Sequence, residues 1–499
     1  MHRRRADYAP PMTPRPTIPT DTNSTDAGPI DICPADTWYA RSCLEAPLDA
    51  PPLTGCETAA IGIVGGGLAG LAVALGLAER GARPVLLEAA TVGAGASGRN
   101  GGLLSAGFTR DFGSLCRKLG TTDATTLFRL SVDAVRLVER RIHDGAIACR
   151  LCHGVLEASW FDRPSELRAF IDEQNRLFDR KLQFWPRDKL RRHFRSKRYW
   201  DGIFDPLARH LDPLALSRGY ARLARAAGAR LFEQSPAATL ERRPRRSGSG
   251  AGGQGWRVTT RSGGVLEVEQ LVLATNAARP ALDRRLARGL LPVNTYIIVT
   301  EPLPEGDALP IRASCAVYDD RFATGYYRLI EDDATGGKRL LWGGRIGIEA
   351  APADLARRLR ADLARVYPEL ETVRVDDGWA GEMGFARHKM PVTAPLEPGL
   401  WVTTGFAGHG LNTTTMAGEL LAGALLGEDD TWRLAAPLGL PWTGGRLGVH
   451  AAQAFYHVQA LKDGLVARWQ QRRRPRDVSA SPTGIGGIRA PDNHPGYRR

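Results

Sequence analysis

The sequence predicts an α/β protein built as two interleaved lobes, and three observations carry that prediction. Residues 61–70 read Ile-Gly-Ile-Val-Gly-Gly-Gly-Leu-Ala-Gly, and the next apolar run, 84–87, ends in Glu88. A strand, a glycine turn and a strongly apolar helix recur near the other end of the chain, at 400–426. Between them lie β-branched and aromatic runs, 293–300, 316–318, 325–330 and 339–344, which read as an antiparallel sheet.

Composition bounds the answer further. A chain of 499 residues exceeds the size at which one core keeps growing, so two lobes are expected. The stretch 58–78 is uncharged and as long as a membrane span, but the three glycines at its centre and the strand after it argue against insertion. No other stretch is apolar for that length, so no membrane span is expected. The charged start, 1–5, leads into prolines rather than an apolar core, so no secretory signal is read there.

Of the net charge of +13, residues 1–20 contribute +3 and residues 472–499 contribute +5. These ends are rich in Pro, Gly, Ser and Arg. They read as a disordered leader, 1–36, and a basic disordered tail, 471–499, so the charge concerns solubility and no specific nucleic acid is expected. Residues 242–255, four Arg followed by Ser and Gly, read as a solvated hairpin tip. Seven cysteines make no disulfide framework, which fits a cytoplasmic location. Cys149 and Cys152 form a single C-x-x-C without a second pair, so no metal site is expected.

Taken in order, the first motif is a strand, a glycine turn, a helix over 71–79 and a second strand ending in an acid. Gly65 allows the tight turn, and Gly67 lets backbone N–H groups approach a pyrophosphate where Leu68 and Ala69 lead into the helix. Gly70 lets helix and strand pack closely. Glu88, 18 residues beyond that glycine, is placed to hold ribose hydroxyls. This is the pattern of a dinucleotide-binding unit. The loop 93–102, with Ser97, Arg99, Asn100, Gly101 and Gly102, can fold over phosphates. Residues 121–195 look helical and amphipathic, with Leu127, Leu130, Val135 and Val138 at helix spacing, and suggest a cap.

A helix at 213–227 and strands at 230–232, 256–260, 265–268 and 270–274, ending at Thr275 and Asn276, return the chain to the nucleotide lobe. At the C-terminal motif, 400–404 is a strand, 405–410 a turn and 411–426 a helix. A helix N-terminus carries partial positive charge, so 408–412 beside a flavin pyrimidine would stabilise the charge that arrives with a hydride. His409 in that turn is a candidate base. No internal repeat of the solenoid kind is present.

Together these residues resemble the FAD-dependent amine and amino-acid oxidases, the family of D-amino acid oxidase, glycine oxidase and sarcosine oxidase. The nearest resemblance is to its gamma-glutamylputrescine oxidase-like branch. The motifs are Trp38-Tyr39-Ala40, the glycines 65–67 with Gly70, the run 95–102, Leu273-Ala274-Thr275-Asn276-Ala277, Tyr326-Tyr327-Arg328, Leu341-Trp342-Gly343-Gly344-Arg345, and Gly405-Phe406-Ala407-Gly408-His409-Gly410. They cover about residues 37–465.

The resemblance implies a GR2-type, FAD-binding Rossmann-like domain (37–110, 205–292 and 375–430) interleaved with an antiparallel-sheet α+β cap and substrate domain (111–204 and 293–374). A helical extension, 431–470, follows. It implies non-covalent FAD rather than NAD, with Gly65, Gly67 and Gly70 at the pyrophosphate and Glu88 at the ribose. Residues 97–102 would lie near the phosphates and ring, and Gly405, Gly408, His409, Gly410 and Leu411 at the pyrimidine. The implied chemistry is hydride transfer from the carbon next to an amine, then imine hydrolysis and reoxidation by molecular oxygen to hydrogen peroxide. Family members that act on amino acids are similar in a Trp-x-Gly-x-Arg segment whose Arg pairs with the substrate carboxylate. Here Trp379-Ala380-Gly381-Glu382-Met383 carries Met at that place, which disfavours a plain α-amino acid, and Glu382 could instead attract an ammonium. Arg387 and His388 replace the acid and proline usual in the following segment. Tyr327 and Arg328 are candidates for substrate contact, although successive strand residues point opposite ways, so only one can face a pocket. The rival readings are an amino-acid or N-methyl amino-acid oxidase or dehydrogenase, and a non-catalytic flavoprotein or partner-binding subunit.

Overall fold

The computed structural model describes residues 37–244, 254–277, 282–347 and 354–473. The expected leader, residues 245–253 of the expected hairpin tip and the tail from 474 lie outside them.

One sheet is parallel at its centre, in the order Leu400–Thr404, Val265–Leu273, Cys56–Val64, Val85–Leu87, Arg230–Phe232. Its two central strands are fully buried only at their C-terminal ends, residues 61–64 and 271–273, where the helices Leu68–Glu79 and Gly410–Leu426 cover one face and Trp256 and Val258 pack on the other. Val392–Glu397 pairs antiparallel at one edge, and the hairpin Ala237–Pro244 with Gln254–Thr260 runs against Val265–Leu273. The first helix, Leu68–Glu79, is buried from Leu68 through Ala78 and carries no polar side chain there. It packs on Gly410–Leu426 so closely that a Cβ on Gly418 would stand 2.6 Å from that of Ala72.

The other sheet runs Val375–Ala386, Leu290–Thr300, Gly337–Gly347, Gly325–Asp332, Ala316–Asp319, Cys152–Ala158, Gly202–His210, Leu103–Leu104. It is antiparallel except where Ala316–Asp319 lies parallel to Cys152–Ala158. Against it sits Leu355–Val366, whose Leu355, Leu359, Leu363 and Val366 form one buried stripe beside Trp342 and Tyr367. The fold is therefore an α/β architecture of a Rossmann-like sheet joined to an antiparallel one.

Three expectations need correction. Residues 121–195 are three helices, Thr121–Asp144, Pro164–Phe178 and Arg187–His193, interrupted by the strands Cys152–Ala158 and Gln183–Trp185. Cys152–Ala158 is held by neighbours on both sides that lie far away in sequence, which local periodicity cannot register. The lobe boundaries at 205 and 375 also fall inside or at the start of strands of the second sheet, Gly202–His210 and Val375–Ala386. Chain crossings between the lobes therefore come after these strands, not before them. The helical extension is formed by Thr431–Leu438 and Gly445–Arg473, and its last helix continues through 471–473, where a disordered tail was expected. Among the described residues, no helix is long and apolar enough to cross a membrane.

Candidate active site

A cavity of about 1990 Å³ lies between the two sheets. That exceeds the roughly 300–1,000 Å³ of an ordinary small-molecule pocket and leaves space for a large cofactor beside a substrate.

One wall is mostly main chain. Strand Cys56–Val64 ends in Gly65, at φ +115°, whose N–H donates to Leu87 O at 2.8 Å. A Cβ on Gly65 would meet Ala274 O at 2.5 Å. Gly66 N–H donates to Glu88 Oε2 at 2.6 Å, and Ala90 N–H to Glu88 Oε1 at 2.8 Å. Burial pushes this carboxyl up from its ordinary range. Leu68 N–H donates to Ser97 Oγ at 2.8 Å, which ties the 93–102 loop to the start of the first helix. Asn100 shapes the loop from within: its Nδ2 donates to Ala96 O and Ser97 O, and its Oδ1 accepts from Gly102 N–H. Arg99 Nε donates to Ala94 O, while Arg99 O accepts from the Trp379 indole across the sheets.

The C-terminal turn completes this wall. Ala407 and Gly408 adopt φ of +51° and +81°, and His409 is the N-cap of Gly410–Leu426. Neither this helix nor Leu68–Glu79 has an acidic residue in its first turn, and neither is capped by its own N-cap side chain. Two such N-termini on one cavity suit a pyrophosphate at one end and an electron-accepting ring at the other. The residues present therefore fit FAD.

Most of the expected residues line the cavity. Gly65, Gly67, Leu68, Ala69 and Glu88 do so around the first turn, and Ser97, Arg99, Asn100 and Gly101 around the loop. Thr275 and Asn276, then Gly408, His409, Gly410 and Leu411, follow on the C-terminal side, with Glu382 opposite. Asn276 Nδ2 donates to Glu382 O at 2.9 Å, joining the two walls.

Five expected residues stand behind the walls. A Cβ on Gly70 would be 2.0 Å from Gly65 O, and one on Gly102 would be 2.1 Å from Leu211 O, so both are close-packing positions. Gly405, at φ +72°, makes the turn and faces Leu290 and Ala386. Tyr327 points into the far core, stacked on Trp342 with ring centroids 5.0 Å apart and its hydroxyl 2.6 Å from that of Tyr367. Arg328, on the other face of the strand, is buried and donates to Gly101 O, Leu211 O and Tyr39 Oη. It braces the loop from behind rather than meeting a substrate.

The strand residue that does face the cavity is Tyr326, which motif reading passed over. Its ring lies in a slot where a Cβ on Gly101 or Gly343 would come within 2.4 or 2.2 Å. Glycines at both places were the available signal. The cavity also takes in Glu157, which accepts from Tyr318 Oη at 3.0 Å and is pushed up by burial, and the ion pair of Arg180 with Asp205. These lie on segments with no motif. Met383 lines the wall with its Sδ 3.2 Å from where a Gly408 Cβ would stand. His388 is structural, in contact with Gly439 O through Nε2 and accepting from Met390 N–H through Nδ1, while Arg387 reaches the cavity.

His409 is half-buried. Its Nδ1 is 3.1 Å from Asn412 Oδ1, and Asn412 Nδ2 is spent on Gly107 O and Ser131 O. That network assigns the ring proton to Nδ1 and leaves the Nε2 lone pair free. Burial lowers the pKa of this imidazole, so it is neutral near pH 7.

A family model described as FAD dependent oxidoreductase matches residues 60–424. A probable oxidoreductase OrdL of Haemophilus influenzae is 32% identical over 405 residues, covering 80% of this chain and 90% of the relative. Gamma-glutamylputrescine oxidoreductase of Escherichia coli is 30% identical over 419 residues, covering 82% and 93%. Among solved structures, glycine oxidase from Geobacillus kaustophilus has the same fold, with a TM-score of 0.59 at 20% identity, over 77% of this chain and 98% of that one. With a family match across most of its length, this chain belongs to the DAO family of FAD-dependent oxidoreductases, enzymes that act on the CH–NH groups of amines and amino acids.

Proposed function

We propose that the protein oxidises an amine related to gamma-glutamylputrescine, rather than a free α-amino acid, and serves polyamine breakdown in the cytoplasm. The observation that carries this reading is Met383 on the cavity wall, where an arginine would be needed to pair with an α-carboxylate. Similarity to gamma-glutamylputrescine oxidoreductase over most of both chains supports it. The six described cysteines are unpaired thiols, in keeping with a reducing compartment.

FAD, when bound, supplies the acceptor for a hydride from the carbon that bears the nitrogen. The chain's own residues position the reactants. The neutral His409, with Nε2 open to the cavity, takes the proton from the substrate ammonium so that the nitrogen lone pair is available. Glu382 and the half-buried Glu157 give a cationic substrate carboxylates to approach, and Tyr326 forms part of the substrate wall. Loss of hydride and proton gives an imine, water converts it to the carbonyl product and free amine, and oxygen takes up two electrons and two protons as hydrogen peroxide.

The test is anaerobic mixing of the flavin-loaded protein with gamma-glutamylated amines, free polyamines and α-amino acids. Bleaching of the flavin band by the amines alone is expected, followed by peroxide when air is admitted. Faster bleaching by α-amino acids would overturn the substrate reading, and bleaching without peroxide would replace oxygen by another acceptor.

A further inference from the structure

The last helix, Gly445–Arg473, closes with its inner face a second cavity of about 590 Å³ against the antiparallel sheet. Six arginines line it, Arg198, Arg321, Arg345, Arg358, Arg365 and Arg468, against two carboxylates, Asp362 and Asp463. Arg321 is paired with Asp319 and Arg358 with Asp354, while Arg345 and Arg365 share Asp362. Asp463 accepts from Phe322 N–H. Among the described residues, neither Arg198 nor Arg468 has an ion-pair partner.

Arg198 is the deeper of the two. Its guanidinium lies 4.3 Å from the ring centroid of Trp160, and that of Arg321 lies 3.7 Å from the same ring. The π-face tolerates the cations but satisfies none of their N–H groups. Arg198 Nε and Trp160 Nε1 are both buried without an acceptor. Burial, and then the charges of Arg321, Arg365 and Arg468, pull Arg198 below the usual guanidinium range. A buried donor left unmet costs about 1–3 kcal/mol, and convergent like charges add to that. The two orphaned donors, with Arg198 and Arg468 unpaired among the described residues, therefore lack an acceptor that carries negative charge.

We propose that this chamber is a binding site for a multiply charged oxyanion, carboxylate or phosphate, which accepts from Arg198 and the Trp160 indole and is drawn in by Arg365 and Arg468. Arginine suits both chemistries because its planar fork matches two oxygens at once. The chamber shares Arg321, Thr324, Arg345, Ile346 and Tyr456 with the large cavity. The oxyanion is accordingly either the anionic end of an amine substrate or a separate ligand. Binding itself is independent of the amine reading; only the choice between these sources rests on it.

The flavin-loaded protein is titrated calorimetrically with inorganic phosphate, tripolyphosphate and citrate, beside the double variant R198Q/R468Q. Saturable one-site binding of at least one anion is expected, weakened about tenfold or more in the double variant while the flavin spectrum is unchanged. No saturable binding, or equal binding by both proteins, overturns the proposal. Should the double variant fail to fold, R468Q alone, on the exposed rim, makes the same comparison. The source is read from kinetics on a carboxylated amine and its uncharged analogue. If the anion is the substrate's own end, tripolyphosphate competes and the double variant raises KM for the carboxylated amine only. If it is a separate ligand, the anion binds without changing the preference between the two amines.

Discussion

On its cofactor side the large cavity is lined by main chain, with Gly65, Gly67 and Gly101 exposing backbone, whereas the opposite side presents the side chains of Tyr326, Arg345, Glu382 and Met383 from strands of the second sheet. The first wall is fixed by turns whose geometry depends on glycine, as at Gly65. The second can change its chemistry one residue at a time without moving a strand. A fold of this kind can therefore hold one cofactor and be retuned for many amines, and the two walls should fail differently when altered.

His409 stands where the walls meet and gives the largest expected effect. H409Q keeps flavin but lowers kcat on the amine roughly a hundredfold, because general-base assistance contributes at least that much. In the parent enzyme kcat should decline as pH falls through a pKa below 6.5, the direction in which burial moves this imidazole. Protonation removes the Nε2 lone pair, so the acid form is the inactive one. The same acid limb persisting in H409Q would assign the proton transfer elsewhere.

Arg328 separates bracing from chemistry. R328M leaves Gly101 O, Leu211 O and Tyr39 Oη without their donor and should cost about 3 kcal/mol of stability, seen as a lower Tm and weaker flavin retention. Once saturated with FAD, the variant should keep most of its kcat. A large fall in kcat at full flavin occupancy would return Arg328 to the substrate wall.

Gly70 tests the main-chain wall directly. In G70A the new methyl meets Gly65 O at 2.0 Å, so the turn has to move. Overpacking of this kind costs about 1–3 kcal/mol, and FAD affinity should fall roughly 10- to 100-fold. At Gly67 the obstacle to a Cβ is the Ser97 hydroxyl at 2.9 Å, the tip of a small side chain, so G67A should weaken FAD less. Equal losses in the two variants, measured by flavin release, would contradict the close-packing role of Gly70.

The same contrast decides what the sequence could reveal. The main-chain wall was legible because its geometry needs glycine at particular places. Gly65, Gly67 and Gly70, the loop 93–102 and the turn 405–410 appear as strings, and the strand at Leu400–Thr404 fell where the pattern put it. The side-chain wall is assembled from strands far apart in sequence. Glu157 and Arg180 arrive on elements with no motif, and the alternation of Gly325–Asp332 had to be seen in space before Tyr326 replaced Tyr327 as the residue facing the cavity. The strand Cys152–Ala158 was missed for a related reason, since its partners, not its own residues, make it a strand.

The smallest expected effect sharpens the substrate side. M383R puts a guanidinium on the wall opposite Gly408, and it can pair with an α-carboxylate in two parallel hydrogen bonds. One charged hydrogen bond is worth about 1.5–3 kcal/mol at best, and the new side chain is held by no partner built for it. A gain of roughly tenfold in kcat/KM for an α-amino acid is therefore expected, with a loss for the cationic amine from like-charge repulsion. Flavin content should not change, because the main-chain wall is untouched. If M383R improves neither substrate while binding FAD normally, the carboxylate of an amino acid would approach from another part of the wall, and the case against amino acids drawn from Met383 would fall.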